Sequence, residues 1–154
     1  WSGSRPAPHA QYFLGGIIMT IKEMKIGDSA SFTKTVTETD VYLYAGITGD
    51  LNPAHVNEAA ASQTMFKGRI AHGMLTAGFV SAVLGTQLPG PGTIYLGQEM
   101  KFKKPVHFHD TITATCTVSE MLTEKNIVKL TTVCTNQNGE VVLDGIATVM
   151  PPKE

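Results

Sequence analysis

The stretch that most constrains the fold runs from Gly73 to Gly85. Met74, Leu75, Ala77, Phe79, Val80, Ala82, Val83 and Leu84 leave it almost no polar face. A helix apolar all round is stable in water only when surrounded by protein. This one is too short for a bilayer, which takes ~20 apolar residues. The rest of the chain must therefore wrap it, and 154 residues suffice for one domain with a substantial core.

The wrapping material reads as β-structure. Thr93 to Phe102 is a candidate strand ended by Lys103-Lys104-Pro105. Thr111 to Leu122 alternates, with Ile112, Ala114, Cys116 and Val118 on one face and Thr111, Thr113, Thr115, Thr117 and Ser119 on the other. Ile127 to Thr135 follows a break at Glu124-Lys125-Asn126. Val141 to Met150 follows Asn136-Gln137-Asn138-Gly139, a turn in which Asn and Gly tolerate positive φ. Upstream, Ser29 to Thr37 suits a further strand. The expected architecture is α+β: one strand, short helices, the buried helix, then four strands in a meander, all in one antiparallel sheet curled about the helix.

Between the first strand and the buried helix, Thr37-Glu38-Thr39-Asp40 matches a capping box and predicts a helix over 38–48. Gly49-Asp50-Leu51-Asn52-Pro53 breaks it, with Asn52 extended because a proline follows. A second, Ala-rich helix is expected from about Glu58 to Thr64. Residues 1–18 are rich in Gly, Ser, Pro and Ala and precede Met19. Gly15-Gly16 interrupts their apolar run and the start is not basic, so they do not suit a signal peptide. They read as a non-native or disordered extension before a single domain over 19–154.

A formal net charge of −1 lacks the basic surplus of a nucleic-acid binder. Cys116 and Cys134 have neither C-x-x-C nor zinc-site spacing. Two reduced core thiols are expected, hence a reducing, cytoplasmic compartment.

Two stretches carry chemistry. In Gly49-Asp50-Leu51-Asn52-Pro53-Ala54-His55, a carboxylate and an imidazole share one tight loop, where they can fix one water and move its protons. Residue types alone leave open that Asp50 merely ends a helix and that His55 is a surface residue. No further metal ligands lie nearby in sequence. In Arg69-Ile70-Ala71-His72-Gly73-Met74-Leu75, a glycine opens the buried helix. The first N–H groups of a helix have no internal partner and suit an oxygen gaining negative charge. Gly73 could equally relieve crowding, and His72 reads as structural.

Together with Gly92–Gln98 and Phe102-Lys103-Lys104-Pro105-Val106, these motifs resemble the MaoC-like (R)-specific enoyl-CoA hydratases, also called hydratase 2. The resemblance runs from about Met19 to the C-terminus. It implies a hot-dog fold and reversible addition of water to a trans-2-enoyl-CoA, giving a 3-hydroxyacyl-CoA, with no metal or redox cofactor. It implies Asp50 and His55 as the pair on the water, Asn52 in support, the Gly73 amide at the thioester carbonyl, and a homodimer or larger homo-oligomer. Ser81 looks like an acyl-end pocket residue of short-chain members, unless its hydroxyl bonds its own helix. Lys101, Lys103 and Lys104 suit either a solvated sheet edge or the CoA phosphates, as do Lys67 and Arg69. His107 and His109 read as exposed turn residues. Two alternatives stay open: an acyl-CoA thioesterase on the same fold, or a non-catalytic acyl-CoA-binding module.

Overall fold

The apolar run forms the helix Gly73–Thr86 (α4), and the chain is arranged around it. A computed structural model describes residues 11–13 and 16–153. In chain order the other elements are Gln11–Phe13 (β1), Gly16–Ile18 (β2), Ser29–Thr35 (β3), Glu38–Thr48 (α1), Pro53–Val56 (α2), Glu58–Ala61 (α3), Ile94–Phe102 (β4), Thr111–Leu122 (β5), Ile127–Thr135 (β6) and Val141–Met150 (β7). The helices at 38–48 and 73–86 and the strands β5, β6 and β7 fall where the residue pattern places them. The short helix α2 follows from the proline, which suits a first helical position.

The extension expected over 1–18 falls largely outside the described residues. Within it, β1 and β2 pair antiparallel. The chain just beyond is tied to the domain by a bond from Met19 N to Pro89 O at 3.0 Å.

The main sheet has the order β3-β5-β6-β7-β4, every pair antiparallel. This corrects the expected four-strand meander. β5, β6 and β7 do meander, but β4 lies at the far edge against β7, and β3 takes the place beside β5. Residues 103–110 therefore cross the end of the sheet from one side to the other. Pro105 and a single bridge between His107 and Ile70 keep that crossing out of the ladder.

The concave face carries the core. Phe79, Val80, Val83 and Leu84 of α4 pack with Ile112, Cys116, Leu130, Cys134, Leu143 and Ala147, and the Phe79 ring meets that of Phe32 edge-on at 5.5 Å. Hydroxyls line the other face in cross-strand pairs: Thr33 with Thr113, Thr35 with Thr111 and Ser29 with Thr117, at 2.8–3.0 Å. This is the hot-dog arrangement, a curved antiparallel sheet around a central helix.

The wrapping is incomplete within one chain. Met74, Gly78, Ser81 and Gly85 form an exposed stripe along α4, because five strands cover only one side of a helix. No helix among the described residues is long and apolar enough to cross a membrane. Cys116 and Cys134 are free and buried, and burial pushes each thiol up to about 12.

α1 starts as its capping box requires. Asp40 N donates to Thr37 Oγ1 at 3.1 Å, and Thr37 N donates to Asp40 Oδ2 at 2.9 Å. Burial pushes the Asp40 carboxyl up, but bonds from Lys34 and Thr37 outweigh it and hold the group below its ordinary value. Thr37→Ala is expected to cost about 1 kcal/mol in urea-induced unfolding, and Thr37→Ser much less.

Candidate active site

The loop after α1 is shaped by side chains that capture backbone amides. Gly49 ends the helix in the left-handed region (φ 79°), its N–H reaching Ala45 O at 2.9 Å. A residue with a Cβ is strained there, so glycine sets the direction in which Asp50 leaves. Asp50 N donates to Thr48 Oγ1 and Asn52 N to Asp50 Oδ1, each at 3.2 Å, and Ala54 N to Asn52 Oδ1 at 3.1 Å. Asp50 and Asn52 thus each make the short local bond that Asx residues favour in turns. Asn52 supports Asp50 through its backbone N–H, while its side chain caps α2.

His55, half-buried on the single turn of α2, is oriented by one bond. Its Nδ1 lies 2.7 Å from Ile70 O. A carbonyl only accepts, so Nδ1 carries a proton, and in a neutral ring Nε2 is left as the acceptor. Ile70 N in turn donates to Ala54 O at 3.1 Å. One residue, Ile70, therefore holds both the Ala54 carbonyl and the His55 ring.

His72 joins the pair from the end of α4, where it is the N-cap residue. It is buried, and its Nε2 donates to Asp50 O at 3.0 Å. Its ring lies between those of His55, with centroids 3.9 Å apart, and Tyr44, at 4.6 Å. Donor atoms of Asp50, His55 and His72 all lie within 4.8 Å of one another. Folding thus supplies a third metal-capable group that the local sequence lacks. Two of the four imidazole nitrogens are already committed to carbonyls, however, and His72 Nδ1 is shut off from solvent without a partner among the described residues.

These groups line a cavity of about 480 Å³ that also reaches Gly73, Thr76, Phe102 and Val106. Asp50 and His55 thus share one cleft with the glycine that opens α4. The space beside Gly73 is filled by the Phe102 ring: a Cβ at 73 would lie 2.7 Å from Phe102 Cε1. Crowding by an aromatic ring therefore contributes to the need for glycine. Lys103 and Lys104 stand in the cavity wall, and Lys104 is ion-paired with Glu140.

Other expected positions lie elsewhere. Ser81 is on the exposed stripe of α4 and does not line this cavity. Lys67 and Lys101 are exposed and also lie outside the lining. Arg69 is no free cation awaiting a phosphate: its Nη1 meets Glu38 Oε1 at 2.5 Å and its Nε meets Glu58 Oε2 at 2.9 Å. His107 and His109 are exposed. His72, quoted in a motif but read as structural, lines the site, as do Thr76, Met65, Val142 and Leu143, which no motif singled out. The one available signal was the N-cap position of His72 beside Gly73.

The fold and the cleft define a hot-dog domain whose acid–imidazole pair stands at the tip of its central helix. Residues 22–139 match the family model of the MaoC like domain. The chain is 57% identical over 136 residues to the (R)-specific enoyl-CoA hydratase of Rhodospirillum rubrum, covering 88% of this chain and 94% of that protein. It is 41% identical over 137 residues to the 3-hydroxybutyryl-CoA dehydratase of Methylorubrum extorquens, covering 89% and 87%. Among solved structures, the unliganded R-hydratase PhaJ1 of Pseudomonas aeruginosa superposes with a TM-score of 0.82 at 43% identity, covering 88% of this chain and 86% of that one. The chain belongs to the MaoC-like domain family.

Gly73→Ala is expected to displace the Phe102 ring and cost about 1–2 kcal/mol. In a Phe102→Ala background the same Gly73→Ala change should cost less than it does in wild type. A double-mutant cycle by urea unfolding measures the coupling.

Proposed function

We propose that this chain is an (R)-specific enoyl-CoA hydratase and 3-hydroxyacyl-CoA dehydratase, with Asp50 and His55 as the catalytic pair. The observation that carries the reading is that Asp50 and His55, whose Nδ1 is engaged by Ile70 O, stand within reach of one another in the cavity that Gly73 lines. The likeness to an (R)-specific enoyl-CoA hydratase along nearly the whole of both chains supports it.

The chemistry follows from the donor and acceptor pattern. A water in the cleft gives one hydrogen bond to His55 Nε2 and another to Asp50, leaving an oxygen lone pair for C3 of the enoyl thioester. As the C3–O bond forms, the alkene electrons move toward the thioester oxygen. The positive end of α4 at Gly73 stabilises that developing enolate. The pair takes one proton from the water and returns one to C2, so hydroxyl and hydrogen have both been added. Dehydration is the reverse. Adding water leaves the overall oxidation level unchanged, so these steps call on no redox cofactor, and their protons and charge are handled by Asp50, His55 and the helix end without a metal.

The finer features of this reading are also proposals. The chain works as a homodimer or larger homo-oligomer, with β4 meeting a second copy. β4 is an edge strand, with Ile94 55% and Leu96 48% exposed. Such an open apolar edge is a template for pairing. A second copy there also covers the stripe on α4 and encloses Ser81 at the end of a short acyl site. Lys103 and Lys104, at the cavity, are placed for the CoA phosphates. The buried reduced thiols fit a cytoplasmic protein.

Loss of the enoyl thioester absorbance reports hydration of crotonyl-CoA, and a chiral coupling enzyme reports the hand of the product. Asp50→Asn and His55→Ala should each lower kcat by about 10²-fold or more with circular dichroism unchanged. Near-wild-type rates in either variant would reject the assignment, and release of free CoA would favour a thioesterase. Light scattering at micromolar concentration should give a dimer or larger mass, and a monomer would contradict the assembly.

A further inference from the structure

Arg69 joins α1, α3 and the link that crosses the sheet end. Its Nη1 donates to Glu38 Oε1 at 2.5 Å and to Tyr42 Oη at 2.6 Å, both on α1. Its Nε donates to Glu58 Oε2 of α3 at 2.9 Å, and its backbone N–H reaches the same oxygen at 3.3 Å. Its guanidinium lies 4.9 Å from the centroid of the Phe108 ring, which belongs to the link crossing the sheet end. The two carboxylates hold its proton more tightly than usual, against a smaller opposing effect of burial, and the phenol adds a lesser contribution.

Two short paths lead from this knot to His55. Along the chain, the next residue is Ile70, whose carbonyl accepts the His55 Nδ1 proton at 2.7 Å. Through space, Tyr42 Oη donates to Val56 O at 3.2 Å, and Val56 follows His55. Surface ion pairs add little to stability, about 0–1 kcal/mol each. The consequence of this network is therefore geometric: it ties α1, α2, α3 and the crossing link to the peptide that sets the His55 tautomer.

We propose that Arg69 is a positioning residue that holds the Ile70 carbonyl against His55 Nδ1 and so keeps His55 Nε2 free to accept a proton in the cleft. This rests on the hydratase reading for its effect on rate, but not for its effect on the imidazole. A guanidinium spans two carboxylates and a phenol at once, whereas the ammonium of lysine is a compact point charge. Charge alone will therefore not replace it.

The test compares wild type with Arg69→Lys and Arg69→Met. Steady-state hydration of crotonyl-CoA is the first readout, and ¹⁵N NMR of the His55 ring nitrogens is the second. Both variants should lose about tenfold or more in kcat, with KM changed by less than about twofold. In both, His55 should pass from a single Nδ1–H tautomer to a mixture. If either fails to fold, Glu58→Gln, which loosens one arm, should move kcat and the tautomer in the same direction by a smaller amount. A rise in KM at constant kcat would mean a substrate-phosphate contact and would overturn the proposal, as would an unchanged tautomer. Should wild type itself not hydrate enoyl-CoA, the hydratase reading fails, while the NMR comparison still decides whether Arg69 sets His55.

Discussion

Burying α4 is the requirement from which the rest of the molecule follows. The helix has no polar face along most of its length, so an antiparallel sheet must curl around it. Once it is enclosed, its first turn emerges at one end of the sheet, next to the link of residues 103–110. That link must cross the sheet end because β4 lies at the edge opposite β3. The bond from Ala71 N to Val106 O at 2.8 Å joins it to the segment leading into α4. The cavity is the space left between this crossing and the loop after α1.

Within that space the proposed catalytic groups are oriented mainly by backbone. The Ile70 carbonyl sets the ring of His55, the Asp50 carbonyl holds His72, and the Asn52 N–H binds the Asp50 carboxylate. Backbone groups on folded segments do not have to be ordered afresh at each turnover. This is the preorganisation that makes electrostatic and acid–base catalysis effective. His72 adds a packed ring between Tyr44 and His55, which limits how far the imidazole can turn.

Family membership and the local geometry support one another without repeating the same information. Relatives along nearly the whole chain define the fold and its kind of chemistry. The hydrogen-bond pattern adds what a likeness does not: Nδ1 of His55 is engaged by the Ile70 carbonyl, which leaves Nε2 as its uncommitted nitrogen. It also separates the cations: Arg69 is spent on Glu38 and Glu58 away from the cavity lining, whereas Lys103 and Lys104 stand in the cavity wall, Lys104 paired with Glu140.

Local pattern was enough for the elements. The capping box at Thr37, the break at Gly49 and Pro53, the two-residue alternation of β5 and the turn at Asn136–Gly139 act over a few residues, and the folded chain shows each of them. The Asp50/His55 pairing was legible for the same reason, because both lie on one loop. Strand order was not, because whether β4 pairs with β5 or β7 depends on which edge closes around α4. The third group of the cluster, His72, the committed state of Arg69 and the exposure of Ser81 were likewise hidden. Each depends on contacts between segments distant along the chain, and only the closed fold brings those segments within hydrogen-bonding reach.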